Sequence, residues 1–396
     1  EDIIMRKKIC FVAVYFITCI LLVGCWDYRE IDEVEIVLGL GVDSHITPSE
    51  EVDKLSKTQF LVTYEIVGIE SEQGQLKSRV LKDEGDTLYR AIRKIIEKNG
   101  KQVYLAHTKI LIISEELARE GITEILDYTM RDAEYRPDVH VLITDNCDAG
   151  AMFKDDATDV ASMRLSDTLK NQSKIGTFES STVWNIIDKM TKKGFEPAIP
   201  LIRMDMEHVD GNLIHTVGGT AVFKASKMVG KLSEDETLYY LFIDNEIKNQ
   251  PLSIEYYFED QLGHISLEIL SNETKVTPVV KGESLGVNIS VNCNVAINEL
   301  SHQIDILNEK DRIDIEMNAE KDIEEGITEL ITHVQKDYNS DIFGFGDLFK
   351  RQKNKTWKKV EKDWDNIFQT LKITTDINVQ IERSALSSHP IEIDKY

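Results

Sequence analysis

From Val287 to Ile297 the chain spells out a strand. Val287, Ile289, Val291, Cys293, Val295 and Ile297 alternate with Asn288, Ser290, Asn292 and Asn294, and Ala296 is the exception in the polar row. Strand side chains point to opposite faces with period two, so this pattern demands a sheet with one covered face and one wet face. Ile265, Leu267 and Ile269 repeat the alternation earlier, and Thr375, Ile377, Val379 and Ile381 repeat it near the end. Between the last two strands lie two stripes at helical spacing. One is Ile323, Ile327, Leu330, Ile331, Val334 and Tyr338; the other is Trp357, Val360, Trp364, Ile367, Phe368 and Leu371. The expected second half is therefore a mostly antiparallel sheet covered by two long helices. The glycine-aromatic turn from Asp341 to Gly346 joins the helices, with its rings closing the core.

The first half mixes periods. Val34–Val42 and Phe60–Val67 read as strands joined by an exposed loop. Asp86 is placed to cap a helix carrying Leu88, Ile92, Ile95 and Ile96 on one face, with Gly100 after its end. A strand at Lys109–Ile113 leads to a helix capped by Ser114 and interrupted near Gly121; another strand follows at Val139–Thr144. Val183, Ile186, Ile187 and Met190 mark a further helix, and Gly194, Pro197 and Pro200 form the candidate linker. Ser233 and Glu236 have capping-box spacing before Leu238, Leu241 and Phe242. The fold class expected is α+β, with mixed, mostly antiparallel sheets packed with helices in two to three domains. Residues 25–205 are expected to form an N-terminal region of two small mixed α/β domains, with 80–150 as one of them, and 206–396 a C-terminal α+β domain.

Residues 1–24 read differently. Arg6, Lys7 and Lys8 precede a largely apolar run from Ile9 to Val23, which closes on Leu22-Val23-Gly24-Cys25. A positive patch, a short apolar stretch and a small residue before the cut make a cleaved secretory signal. A cysteine just after the cut makes it a bacterial lipoprotein signal, with the Cys25 thiol as acceptor of a diacylglyceryl group. The alternative is an uncleaved anchor, for which the run falls short of the roughly 20 apolar residues of a spanning helix. Glu1–Ile4 precede the expected initiator Met5 and stay outside any fold argument.

Charge and cysteines narrow the function classes. The formal net charge is −24, and the part after the leader is one unit more acidic. Such a balance argues against nucleic acid as a partner, since phosphate contacts need basic patches. It also opposes an anionic membrane surface, so lipid has to supply the attachment. Cys147 and Cys293, far apart in sequence, read as inert thiols, and no Cys-x-x-Cys metal spacing occurs. Asp155, Asp156 and Asp159 lack the calcium-loop pattern. No nucleophile elbow, phosphate loop or zinc-protease motif is present, so neither catalytic, cofactor nor metal residues are assigned. Gly39 and Gly41 indicate close packing or a strand irregularity rather than a dinucleotide site. His107 reads as structural, and Asp132, Glu134 and Arg136 as a charged strip that either pairs internally or docks a partner.

These residues resemble the Ger(x)C family, the C-subunit lipoproteins of spore germination receptors. The resemblance starts at Cys25-Trp26-Asp27-Tyr28-Arg29-Glu30-Ile31 and Ile36–Asp43. It continues through His107-Thr108-Lys109, Gly121–Arg136, Gly219–Phe223 and Gly230–Thr237, and ends with Ser340–Gly346 and Trp357…Trp364. Tyr28 stands where the family often has a basic residue. The resemblance implies a non-enzymatic subunit without cofactors, acting with integral-membrane A and B subunits at the outer face of the spore inner membrane in response to small nutrients. The second expectation is a lipoprotein that captures the nutrient itself.

Overall fold

The computed structural model describes residues 2–21, 33–46, 58–69, 76–153, 160–209, 212–258, 261–300 and 308–384. Helix α1 (Asp2–Leu21) comes first. The chain then runs β1 (Val34–Ile46), β2 (Thr58–Ile69), β3 (Leu76–Gly85), α2 (Leu88–Asn99), β4 (Gln102–Tyr104), β5 (Ile110–Ile113), α3 (Glu115–Glu120), α4 (Thr123–Arg131), β6 (His140–Thr144), α5 (Ala161–Lys170) and α6 (Val183–Thr191). Next come β7 (Ala198–Val209), β8 (Asn212–Lys224) and β9 (Lys227–Leu232). The second part comprises α7 (Glu234–Asp244), β10 (Pro251–Phe258), β11 (Gln261–Lys281), β12 (Ser284–Leu300), α8 (Glu309–His333), α9 (Phe345–Gln352), α10 (Asn354–Val360), α11 (Trp364–Gln369) and β13 (Lys372–Ser384).

The first nine strands form one sheet in the order β3-β2-β1-β5-β6-β7-β8-β9, with β4 paired to β1. Its centre is parallel: β1 to β5, β5 to β6 and β6 to β7. A parallel centre needs cover on both faces, and β5 shows this cover residue by residue. Leu111 and Ile113 join the core under α2, α3, α4 and α6, while Ile110 and Ile112 join the core under α5. On the α5 face, two buried strand carboxylates cap what packs over them. Glu65 accepts from the backbone N–H of Ala161 (2.8 Å) and Ser162 (2.9 Å) at the start of α5. Asp43 accepts from the N–H of Ala149 and Gly150 in a 3-10 turn. Each carboxylate meets otherwise orphaned donors at a helix start.

Gly39 and Gly41 serve this same face. A Cβ at Gly39 would run into Ser162 Oγ and the Phe153 ring, and one at Gly41 would meet Phe153 and the Ala149 backbone. The β1–β2 register also shifts between Val37 and Gly39. Both readings of the glycines, close packing and strand irregularity, therefore apply.

The second sheet runs β10-β11-β12-β13. β10–β11 and β11–β12 are antiparallel, while β13 returns parallel to β12 after the helical crossover. Along β12 the expected face is buried, with Ile289, Val291, Cys293 and Val295 at 0% exposure under α8 and its neighbours. The thiol of Cys293 is accordingly a packing group, and burial pushes its pKa up to about 12. Cys147 is only half-buried, with its Sγ directed at the Asp145 carbonyl.

Several expectations shift. The second long helix is instead α10 and α11, because the chain folds at residues 361–363 and brings the Trp357 and Trp364 rings to 5.3 Å. A continuous helix would hold residues seven apart about 10 Å apart along its axis. Thr87, not Asp86, caps α2 by accepting from Arg90 N–H. Ser114 occupies the cap position of α3 without a side-chain bond, and Thr144 Oγ1 receives the Glu115 N–H instead. The candidate linker enters the sheet: Pro200 lies in β7 where the register with β8 shifts, a place that tolerates a missing N–H. The expected division at 205/206 falls in the β7–β8 hairpin, and the chain changes sheets after Leu232.

Gly39→Val is expected to lower stability by about 1–3 kcal/mol through overpacking against Phe153 and Ser162. Urea unfolding of the purified chain measures this, and an unchanged midpoint rejects the packing role.

Candidate functional site

The motif residues of the second half converge where the two sheets meet. At the centre is Asp341, fully enclosed in the loop between α8 and α9. Its carboxylate accepts from Phe345 N–H (3.0 Å), Gly346 N–H (2.8 Å) and Trp364 Nε1–H (2.9 Å). Its carbonyl accepts from Glu196 N–H at 2.9 Å, just before β7. One residue thus ties its own loop, α11 and the first sheet together. Burial pushes the Asp341 carboxyl up to about 7, although its three donors pull the other way.

The surrounding contacts are as close. Gly194, at φ 72°, lies against Gly346 so tightly that a Cβ on either would strike the other's Cα. Asp347 N–H donates to the Gly194 carbonyl at 3.0 Å. Ser340 Oγ donates to the Phe223 carbonyl, and Tyr338 OH donates to the Lys231 carbonyl at 2.8 Å while its ring fills the space beside Gly230. Lys224 reaches the Asn339 carbonyl (2.9 Å) and Asp365 (3.1 Å). The Ser233–Glu236 capping box is formed at the start of α7, and Glu236 also meets His333 of α8.

Beneath this loop lies a buried charge cluster. Lys189 Nζ of α6 bonds Glu179 at 2.8 Å and Tyr240 OH of α7 at 3.2 Å, under the Phe195 ring. Phe343 packs between Tyr240 and Phe345, at centroid distances of 6.1 and 5.2 Å. Burial raises the Glu179 carboxyl. Burial pulls Lys189 down, but the combined attraction of Glu179, Asp244 and Glu246 outweighs it and leaves its pKa raised. A lysine so enclosed is held by its partners, and losing one would strand a buried charge. Glu196 completes the ring: its carboxylate accepts from Ala225 N–H in the β8–β9 turn, and burial raises its pKa. Each of these groups is directed at a backbone N–H, an indole or an ammonium, an arrangement suited to locking two bodies together.

The remaining motifs lie elsewhere. Leu22, Val23, Gly24 and Cys25 fall outside the described residues, as do Asp155, Asp156 and Asp159. Along α1, Ile9, Phe11, Val12 and Phe16 are exposed, and no described helix is long and apolar enough to cross a membrane. His107 is exposed on the loop before β5, edge-on to Tyr104. The charged strip pairs internally in part: Asp132 accepts from Tyr128 OH and Glu134 N–H, and Arg136 binds Asp138. Among the described residues no cluster of metal-binding side chains occurs. Sequence reasoning gave no such role to Glu65, Asp43, Gly194 or the Glu179–Lys189–Tyr240 cluster. Glu65 alone had a signal, a lone carboxylate inside the apolar run Phe60–Val67.

Comparison with known proteins covers both halves. Residues 27–204 match the family described as "Spore germination protein N-terminal domain". Residues 218–385 match "Spore germination B3/ GerAC like, C-terminal". The chain belongs to the Ger(x)C family. Spore germination protein KC of Bacillus subtilis (strain 168) is 23% identical over 98% of both chains. Spore germination protein A3 of the same organism is 24% identical over 92% of this chain and 95% of its own. The crystal structure of the GerBC protein shares the fold, with TM-score 0.53 and 19% identity over 90% of this chain and all of that one. In this Ger(x)C chain the two family matches meet within the β7–β8 hairpin, and the Asp341 loop lies in the second.

The Asp341 lock predicts a pH dependence. The folded state holds this proton more tightly than the unfolded chain, whose carboxyl titrates near 3.8. Its stabilising share is complete below that value and is lost as the pH rises through about 7. Unfolding midpoints of the parent and of Asp341→Asn, measured from acid to mildly alkaline pH, are expected to converge as the pH rises. A margin that stays constant or widens rejects the assignment.

Proposed function

We propose that this chain is a lipid-anchored, non-enzymatic subunit of a nutrient germinant receptor required for spore germination. It acts with integral-membrane A and B subunits at the outer face of the spore inner membrane. The observation that carries the reading is the ordered match of both halves to spore germination families, reaching from residue 27 to 385. The leader and Cys25 support the anchor, because a positive patch and short apolar run end on a cysteine that accepts lipid. The locked junction supports a rigid subunit that carries mechanical or docking information rather than one that turns over a substrate.

Cys25→Ala in a strain lacking paralogues is expected to leave sporulation intact, release the protein from the membrane fraction and slow nutrient-triggered germination. Normal germination with the protein unanchored overturns the reading.

One observation favours direct nutrient capture as a second reading. A cleft of about 480 Å³ opens between α2, β4 and α4. Ile92, Ile96, Val103, Leu105 and Tyr128 form its apolar part, and Arg93, Arg131, Asp132 and Glu134 bring both signs of charge to it. Its size and mixed lining suit a small zwitterion or sugar. Titration calorimetry with amino acids and sugars decides: saturable heat that Tyr128→Ala removes supports capture, and no heat with any of them excludes it.

A further inference from the structure

The chain is strongly acidic, yet Lys350–Lys362 carries seven basic residues against the single acid Glu361. Lys350, Arg351, Lys353, Lys355, Lys358, Lys359 and Lys362 are all exposed on α9, α10 and the turn that follows. Lys355, Lys358 and Lys359 share the outward face of α10, because Trp357 turns inward and is 2% exposed. Arg351 is paired with Asp347 at 2.8 Å. Among the described residues, none of the six lysines is in an ion pair.

The topology puts this face beside the tether. β1, β5, β6 and β7 run parallel, so their N-terminal ends share one end of the sheet. β1 enters at Val34, nine residues after Cys25. An extended segment of that length reaches at most roughly 30 Å. At the same end, the chain before β7 holds the lysine helices: Asp347 N–H bonds the Gly194 carbonyl, and Lys193 pairs with Glu361 at 3.3 Å. Lys101, which precedes β4 and the Val34–Gln102 pair, is exposed there too.

We propose that the α9–α10 lysine face rests on anionic phospholipid headgroups when the chain is tethered, an inference that builds on the lipid-anchor reading. Lysine ammoniums are strongly hydrated point charges that act on headgroups without a fitted geometry. The face offers them without an aromatic anchor, since Phe345, Phe349, Trp357 and Trp364 are all buried. Protein interfaces favour aromatics and arginine and are depleted in lysine, so an acidic protein is the less suited occupant.

The test is lysine acetylation of the full lipidated chain on vesicles of phosphatidylcholine alone and of phosphatidylcholine with phosphatidylglycerol in equal parts. At low salt, labelling of Lys355, Lys358, Lys359 and Lys362 is expected to fall at least about fivefold on the anionic vesicles and to recover in high salt. Lys321, exposed on α8, is the internal control and keeps its rate. The triple change Lys355→Glu, Lys358→Glu and Lys359→Glu is expected to remove the protection of Lys362, with circular dichroism confirming that it is folded. Equal labelling on both vesicles overturns the proposal. Protection that appears only in membranes containing the receptor's other subunits also overturns it and assigns the face to an acidic protein. The anchor reading fails separately, by loss of the chain from neutral vesicles in high salt, and the comparison on anionic vesicles at low salt still reads the lysine face.

Discussion

The Asp341 carboxylate is the contact on which the arrangement of the two sheets depends. It gathers three donors from its own loop and α11, while its carbonyl takes the Glu196 N–H of the first sheet. A buried carboxylate is costly unless its oxygens are filled, and here each is. The cost fixes the geometry, since any shift of α9 against the segment before β7 would leave donors or acceptors unpaired without water. Gly194 and Gly346 let the backbones come close enough for those bonds, and neither can gain a side chain without separating the two parts. The Glu179–Lys189–Tyr240 cluster beneath imposes the same all-or-nothing requirement from α6 and α7.

Elements whose burial depends on their own period were legible in the sequence. The strand at Val287–Ile297 appears with its faces as read, and so do the α7 capping box and the α8 stripe. Elements fixed by distant partners were not. The stripe from Trp357 to Leu371 is periodic enough for one helix, yet the chain folds at residues 361–363 and sets the two indoles edge to face, which leaves two short helices. Pro197 and Pro200 read as a linker because proline weakens a ladder, but Pro197 precedes β7 and Pro200 sits beside a register shift, where a missing N–H is tolerated. The direction of β13 was hidden for the same reason: alternation sets a strand's faces and says nothing about which way it runs beside its neighbour.

The site divides in the same manner. The Asp341–Gly346 turn stood out by its glycines and aromatics, and its rings do close the core. Two partners that give Asp341 its meaning are distant: Glu196, which carries no local pattern, and Trp364, whose place in an apolar stripe reveals burial but not its indole bond. Lys189 falls at a helix position where a lysine reads as solvent-facing, and only the fold reveals that Glu179 and Tyr240 enclose it. A buried ion pair is a relation between residues, so neither member shows it alone.

Charge shows most sharply how a global quantity can mislead. A net of −24 suggests repulsion from an anionic surface. At physiological salt the Debye length is about 8 Å, so a bilayer senses the charges close to it and hardly those across the molecule. The structure separates the two populations. Acidic residues such as Glu309, Asp311, Asp314, Glu316, Glu320, Glu324 and Glu325 line α8, which packs its apolar stripe on the second sheet, while the lysines of α9 and α10 gather beside the end of the first sheet at which β1 begins. Under the proposed lipid anchoring, the tether holds the protein at the surface and the local field decides which side turns toward it. An acidic remainder strengthens that choice, because the same membrane that attracts the lysine face repels the others.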